Sequence, residues 1–136
     1  MKLQPDQSDV QAITGYGPGW VGVSGEKIHT SVIIGSRGQR IDWPAARFED
    51  LGPEHFATLA ALDAEVVIFG SGSRIRFPQG AWLRPLMERR IGIETMDTAA
   101  ACRTYNILAQ EGRNVAVALL LEQPAEAGEG SQPRLG

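Results

Sequence analysis

Apolar and polar residues alternate with a period of two in the first third of the chain and shift to helical spacing after it. Ala12-Ile13-Thr14-Gly15-Tyr16 is short and β-prone, and Gly17-Pro18-Gly19 then forces a turn. Trp20 to Val23 predicts a second strand, ended by Ser24-Gly25-Glu26. Lys27 to Ser36 sets Ile28, Thr30, Val32 and Ile34 on one alternating face and predicts one continuous strand. Ser36-Arg37-Gly38 turns the chain again, and Gln39 to Trp43 predicts a further short strand.

Beyond Pro53 the period changes. Phe56, Leu59, Ala60 and Leu62 stand at helical spacing, which predicts a helix over Pro53 to Ala64 with the proline in its first turn. Glu65 to Phe69 ends in a continuous apolar run, the pattern of a strand covered on both faces. Pro78 to Arg90 predicts a helix whose regular part starts near Arg84, because Pro85 is tolerated only in a first turn. Gly92 to Met96 predicts a strand. Asp97 is placed to cap a helix over Thr98 to Glu111, with Gly112 as its left-handed stop, and Arg113 to Leu121 predicts the last strand.

Strands followed by alternating helices and strands imply a sheet with parallel pairs and helices packed on it. The expected fold is one α/β domain over residues 10–121, with a mixed sheet, an N-terminal antiparallel meander and about three flanking helices. Residues 1–9 and 122–136 read as flexible ends, since the second stretch has three Gly, two Pro and three Glu and only Leu135 as a large aliphatic residue.

Composition narrows the function classes. The chain has 136 residues, 13 basic and 16 acidic, for a net charge of −3, which argues against a general nucleic-acid surface. Its single cysteine, Cys102, excludes an intrachain disulfide and a cysteine-built zinc site. The first nine residues carry two aspartates and no apolar run, unlike a secretory signal or a transit peptide. The longest apolar runs, such as Ala116 to Leu121, are far short of the roughly 20 residues of a membrane span. A cytoplasmic protein without membrane insertion is expected.

Three features carry candidate chemistry. Gly70-Ser71-Gly72-Ser73-Arg74 follows the buried strand, where ligands bind in α/β sheets, and its glycines let backbone amides approach an anion. The motif lacks the third glycine of a dinucleotide fingerprint and the lysine of a phosphate-binding loop, so a tight turn is the favoured reading and a ligand site the alternative. Arg74, Arg76, Arg84, Arg89 and Arg90 face only Glu88, so residues 74–90 carry +4. That window fits a carboxylate, a phosphate or an acidic partner surface, or a solvated face. The third feature is Glu94 with the helix that follows. Ala101, Tyr105 and Leu108 share a core face, whereas Asn106, a poor helix former, implies a hydrogen-bonding role. Cys102 reads as a buried residue rather than a nucleophile. His29 and His55 have no second ligand at metal spacing, and neither a metal nor a cofactor is expected.

Gly92-Ile93-Glu94-Thr95-Met96-Asp97-Thr98, Ala101 to Asn106 and Glu111-Gly112-Arg113 resemble the signature of a family of small uncharacterised domains. That family includes the mitochondrial NADH:ubiquinone oxidoreductase (complex I) assembly factor 3. Gly70 to Ser73 with Arg76-Phe77-Pro78, and the opening Ile13 to Gly17, are similar to its other blocks, and the chain looks like a bacterial member. The resemblance implies a one-domain α/β fold and a cleft near Gly70, Ser71, Gly72, Ser73, Glu94, Thr98, Arg103, Tyr105 and Asn106, with no accepted reaction. Two functions follow. One is a non-enzymatic binding or assembly module with a protein partner. The other is a small-molecule or anion-binding enzyme with its cleft between the Gly70–Arg74 loop and the Glu94–Asn106 segment, Glu94 as acid or base and Arg74 or Arg103 holding the anion. Homo-oligomerisation is compatible with both.

Overall fold

The computed structural model describes residues 10–123. The chain opens with an antiparallel meander of β1 (Ile13–Gly17), β2 (Trp20–Val23) and β3 (Glu26–Ile28). Ser24 and Gly25 both have positive φ, 54° and 81°, as the tight β2–β3 turn needs, and the strands twist together through it.

A second, five-stranded sheet has the order β5-β4-β8-β6-β7, built from β4 (Val32–Gly35), β5 (Arg40–Asp42), β6 (Val66–Gly70), β7 (Gly92–Met96) and β8 (Val115–Leu119). Strands β6, β7 and β8 run parallel, while β4 is antiparallel to both β5 and β8. The continuous strand expected over Lys27 to Ser36 is therefore two strands in two sheets. The break falls at the corner His29 to Ser31, where the buried Ser31 hydroxyl accepts from Leu121 N and its carbonyl accepts from Trp43 N. Ile28, Val32 and Ile34 face the same apolar cluster on either side of that corner, so their alternation continues through a change of sheet.

Both faces of the five-stranded sheet are covered, which explains the unbroken apolar runs of β4, β6 and β8. On one face Val32, Ile34, Ile68, Val115, Val117 and Leu119 pack against the meander and α3 (Thr98–Gln110). On the other, Ile33, Val67, Phe69, Ala116, Ala118 and Leu120 pack against α1 (Pro53–Ala60), α2 (Arg84–Glu88) and an aromatic cluster. Trp43 is at its centre, edge-on to Phe56 and Phe69 at centroid separations of 5.8 and 5.9 Å, with its indole N–H donating to His55 O.

Helix α1 ends at Ala60, four residues earlier than the spacing predicts, and the chain turns through Asp63 at φ 62°. The helix expected from Pro78 contracts to a single 3₁₀ turn, Gly80–Leu83, and the five-residue α2, which starts at Arg84 with Pro85 in its first turn. Helix α3 follows its expected limits. Asp97 caps it by accepting from Ala100 N at 2.8 Å, and Gly112 follows it at φ 85°.

The domain was expected to end at Leu121. Glu122 and Gln123 continue the described chain with both side chains engaged, while residues 1–9 and 124–136 lie outside the described residues. Among the described residues no helix is long and apolar enough to cross a membrane.

Candidate functional site at the ends of three parallel strands

Strands β6, β7 and β8 finish at the same end of the sheet, and the residues after each one line a single cleft of about 590 Å³. Gly72 and Ser73 follow β6, Asp97 to Ala99 follow β7, and Leu120 to Gln123 follow β8. The β1–β2 turn, Tyr16 to Gly19, closes the remaining wall. Crevices beyond the carboxyl ends of parallel strands are where α/β sheets place their ligands.

Thr98 ties the strand ends together. Its hydroxyl accepts from Gly72 N at 2.9 Å and reaches Leu120 O at 3.2 Å, and its own N–H donates to Gly72 O at 2.8 Å. Gly70 lets α3 approach, since a Cβ there would stand 3.0 Å from Ala101 Cβ and 3.1 Å from Thr98 Cα. Gly72 has φ 105°, and a Cβ on it would fall 2.7 Å from the Arg76 guanidinium. The buried Ser71 hydroxyl donates to Arg74 O and accepts from Arg76 N, both at 2.8 Å, which folds the loop back on itself. Arg76 donates to Ser71 O at 2.7 Å, pairs with Glu122 and lies over the Phe48 ring at 4.8 Å. The other Glu122 oxygen accepts from Phe48 N at 2.9 Å.

Of the ten residues predicted for the site, Gly72, Ser73 and Thr98 line the cleft, and Gly70 and Ser71 stand immediately behind it. Arg74 and Glu94 are exposed and are not part of the lining. Arg103 reaches the wall at second hand, donating to the Tyr16 hydroxyl at 3.0 Å. Tyr105 and Asn106 lie about two turns along α3, roughly 12 Å from Thr98. Both hold the entering chain. Tyr105 donates to Gln11 O at 2.6 Å, while Asn106 accepts from Ile13 N at 2.9 Å and donates to Ile13 O at 2.8 Å.

The reactive side chains are committed in a similar way. Cys102 is buried, and desolvation pushes its thiol up to about 12. Burial likewise raises the Tyr105 phenol above its ordinary range. His55 accepts from Gly52 N at Nδ1 and reaches Pro44 O from Nε2. Among the described residues, the carboxylates on the cleft wall are Asp97, which caps α3, and Glu122, which pairs with Arg76, and no Lys or Arg is part of the lining. Among the described residues no three His, Cys, Asp or Glu side chains gather as a metal site.

Sequence reasoning missed the Tyr16–Gly19 wall, Asp97 as a lining residue and the Leu120–Gln123 strap. The Gly-Pro-Gly turn and the helix cap were visible as structure, but nothing local says that they meet. Glu122 was hidden by the Pro- and Gly-rich composition of the residues after it.

The chain is similar to known proteins in sequence and in fold. NADH dehydrogenase [ubiquinone] 1 alpha subcomplex assembly factor 3 from Bos taurus is 34% identical over 82 residues, 59% of this chain and 45% of that protein. The chain thus matches less than half the length of that curated relative. An uncharacterised protein of Rhodobacter capsulatus is 33% identical over 120 residues, 86% of this chain and 90% of its own. The crystal structure of a Bordetella parapertussis protein superposes with a TM-score of 0.78 at 36% identity, covering 83% of this chain and 97% of that one. These likenesses agree with the resemblance drawn from the Gly92–Asn106 and Gly70–Pro78 blocks. Residues 13–120 match the family described as protein of unknown function (DUF498/DUF598), and the chain belongs to that family.

Proposed function

We propose that this protein is a non-enzymatic binding module of the assembly-factor kind, which takes a short segment of a protein partner into the cleft beyond β6, β7 and β8. The observation that carries the reading is how the polar groups around the cleft are used. Thr98, Ser71, Arg76, Glu122 and Asp97 are occupied in fastening strand ends, loop and helix to one another. What remains facing outward is mostly backbone, glycine and apolar side chain, including Pro18 and Ala99, with the exposed Ser73 hydroxyl beside them. Such a wall suits recognition of another chain's backbone and apolar side chains better than proton transfer. The Bos taurus and Homo sapiens relatives are named as NADH dehydrogenase [ubiquinone] 1 alpha subcomplex assembly factor 3, and the partner proposed here is a subunit or assembly intermediate of such a dehydrogenase.

A second reading is a small-molecule site, because about 590 Å³ falls within the usual range for such pockets. Quantitative affinity capture from the cells that make the protein separates the two. The wild type is expected to retain one partner in constant ratio, and Ser73→Trp or Ala99→Trp, which fill the cleft from its rim, are expected to lose it while melting as the wild type does. A partner held equally well by both plugged variants contradicts the reading. A clean capture with a small molecule released on denaturation favours the second.

A further inference from the structure

The arginine-rich window continues directly from the cleft wall, and the structure divides it. Arg76 is withdrawn into its pair with Glu122. Arg74, Arg84, Arg89 and Arg90 are exposed, and among the described residues none of them is within ion-pair distance of a carboxylate. Between them stand Phe77, 69% exposed, Met87, 66%, and Ile75, 49%. Arg76 lies on the Phe48 ring and Phe48 packs on Trp82 at 5.9 Å, so the 74–77 loop and the 80–88 segment cover the same aromatic cluster. Both stretches therefore border the aromatic cluster that covers this side of the large sheet. A run of exposed apolar anchors among uncompensated guanidiniums, in a chain of net charge −3, is a local property and not a reflection of overall charge.

We propose that this face is a docking surface for an acidic protein segment that carries aromatic or aliphatic side chains. Carboxylates of the partner take the guanidinium forks of Arg74 and Arg84, and its apolar side chains pack on Phe77 and Met87. Arginine favours this choice, because its planar fork matches a carboxylate in two places. A lipid surface is the poorer fit. Interfacial binding uses an amphipathic helix laid in the membrane plane, and α2 has only five residues. The inference deepens the partner-binding reading but is tested apart from it.

The test measures binding of a labelled glutamate-rich copolymer of glutamate and tyrosine to the whole chain by fluorescence anisotropy, with polyglutamate as the control that lacks anchors. The copolymer is expected to bind more tightly than polyglutamate and to weaken with added salt. Arg74→Glu with Arg84→Glu is expected to weaken it about tenfold or more. Independently, Phe77→Ser with Met87→Ser is expected to bring the copolymer down to the level of polyglutamate. All four side chains are exposed, and thermal unfolding verifies that each pair still folds; the two pairs stand alone if one does not. Ala99→Trp, which plugs the cleft from α3, is expected to leave copolymer binding unchanged, so the cleft reading can fail without this one. Copolymer binding that survives the charge reversal, no preference over polyglutamate, or tighter binding to phosphatidylglycerol vesicles by way of the same residues would overturn the proposal.

Discussion

Gly72 and Thr98 exchange two hydrogen bonds, Gly72 N to Thr98 Oγ1 at 2.9 Å and Thr98 N to Gly72 O at 2.8 Å. The exchange locks the loop after β6 onto the start of α3 and so fixes one wall of the cleft. Gly72→Ala is expected to cost roughly 1–3 kcal/mol, because alanine resists φ 105° and its Cβ meets the Arg76 guanidinium. Thr98→Val keeps the shape and removes the hydroxyl, with an expected loss of about 1–2 kcal/mol. Denaturant unfolding of both variants measures these losses.

Asn106 makes the same kind of contact at the far end of α3, gripping both backbone polar groups of Ile13. Asn106→Leu is expected to leave the two groups unpaired and destabilise the protein by about 1–3 kcal/mol. Amide exchange locates the effect. The Ile13 amide should exchange markedly faster, while amides of β6 and β8 follow the global loss alone.

Arg76 and Glu122 form a largely buried pair, with side chains 19% and 24% exposed. Glu122 is also what carries the strap after β8 to Phe48. A double-mutant cycle with Arg76→Met and Glu122→Gln should give a coupling energy of about 1–3 kcal/mol, above the value typical of exposed pairs. Each single change is expected to cost more than half of what the double change costs, since either leaves a buried partner unmatched.

Alkaline pH should weaken the protein through Cys102 and Tyr105. Burial raises the Cys102 thiol from 9.0 to about 12, and raises the Tyr105 phenol as well. The folded state therefore keeps protons that the unfolded chain gives up. Stability falls as pH rises above about 9 and continues to fall toward 12. The melting temperature of the wild type is expected to drop more steeply over this range than that of Cys102→Ala. The folded protein should also resist a thiol-specific reagent at neutral pH until denaturant is added.

Element type was legible wherever one face of one element settled it. The Asp97 cap, the Gly112 stop and the unbroken run of Val66 to Phe69 are local signals that tertiary structure left in place. The corner at Ser31 was not legible, because Ile28, Val32 and Ile34 face one core from two sheets and alternation does not report which sheet a strand joins. The 78–90 stretch read as one helix because Trp82, Leu83 and Leu86 do pack inward, although the backbone reaches them through a 3₁₀ turn and five α-helical residues. Only part of the candidate site was visible, for a similar reason. Gly70 to Ser73 and Thr98 adjoin strand ends, whereas Tyr16 to Gly19 and Leu120 to Gln123 arrive from far along the chain. Asn106 was read correctly as a hydrogen-bonding residue, but its partner is Ile13, 93 residues away.

Amide hydrogen exchange on the complex with its captured partner tests the central proposal most directly. The account predicts new protection at Gly17, Gly19, Ser73 and Ala99, which border the cleft on its separate walls. Protection confined to other surfaces, with these four amides exchanging as in the free protein, would contradict it.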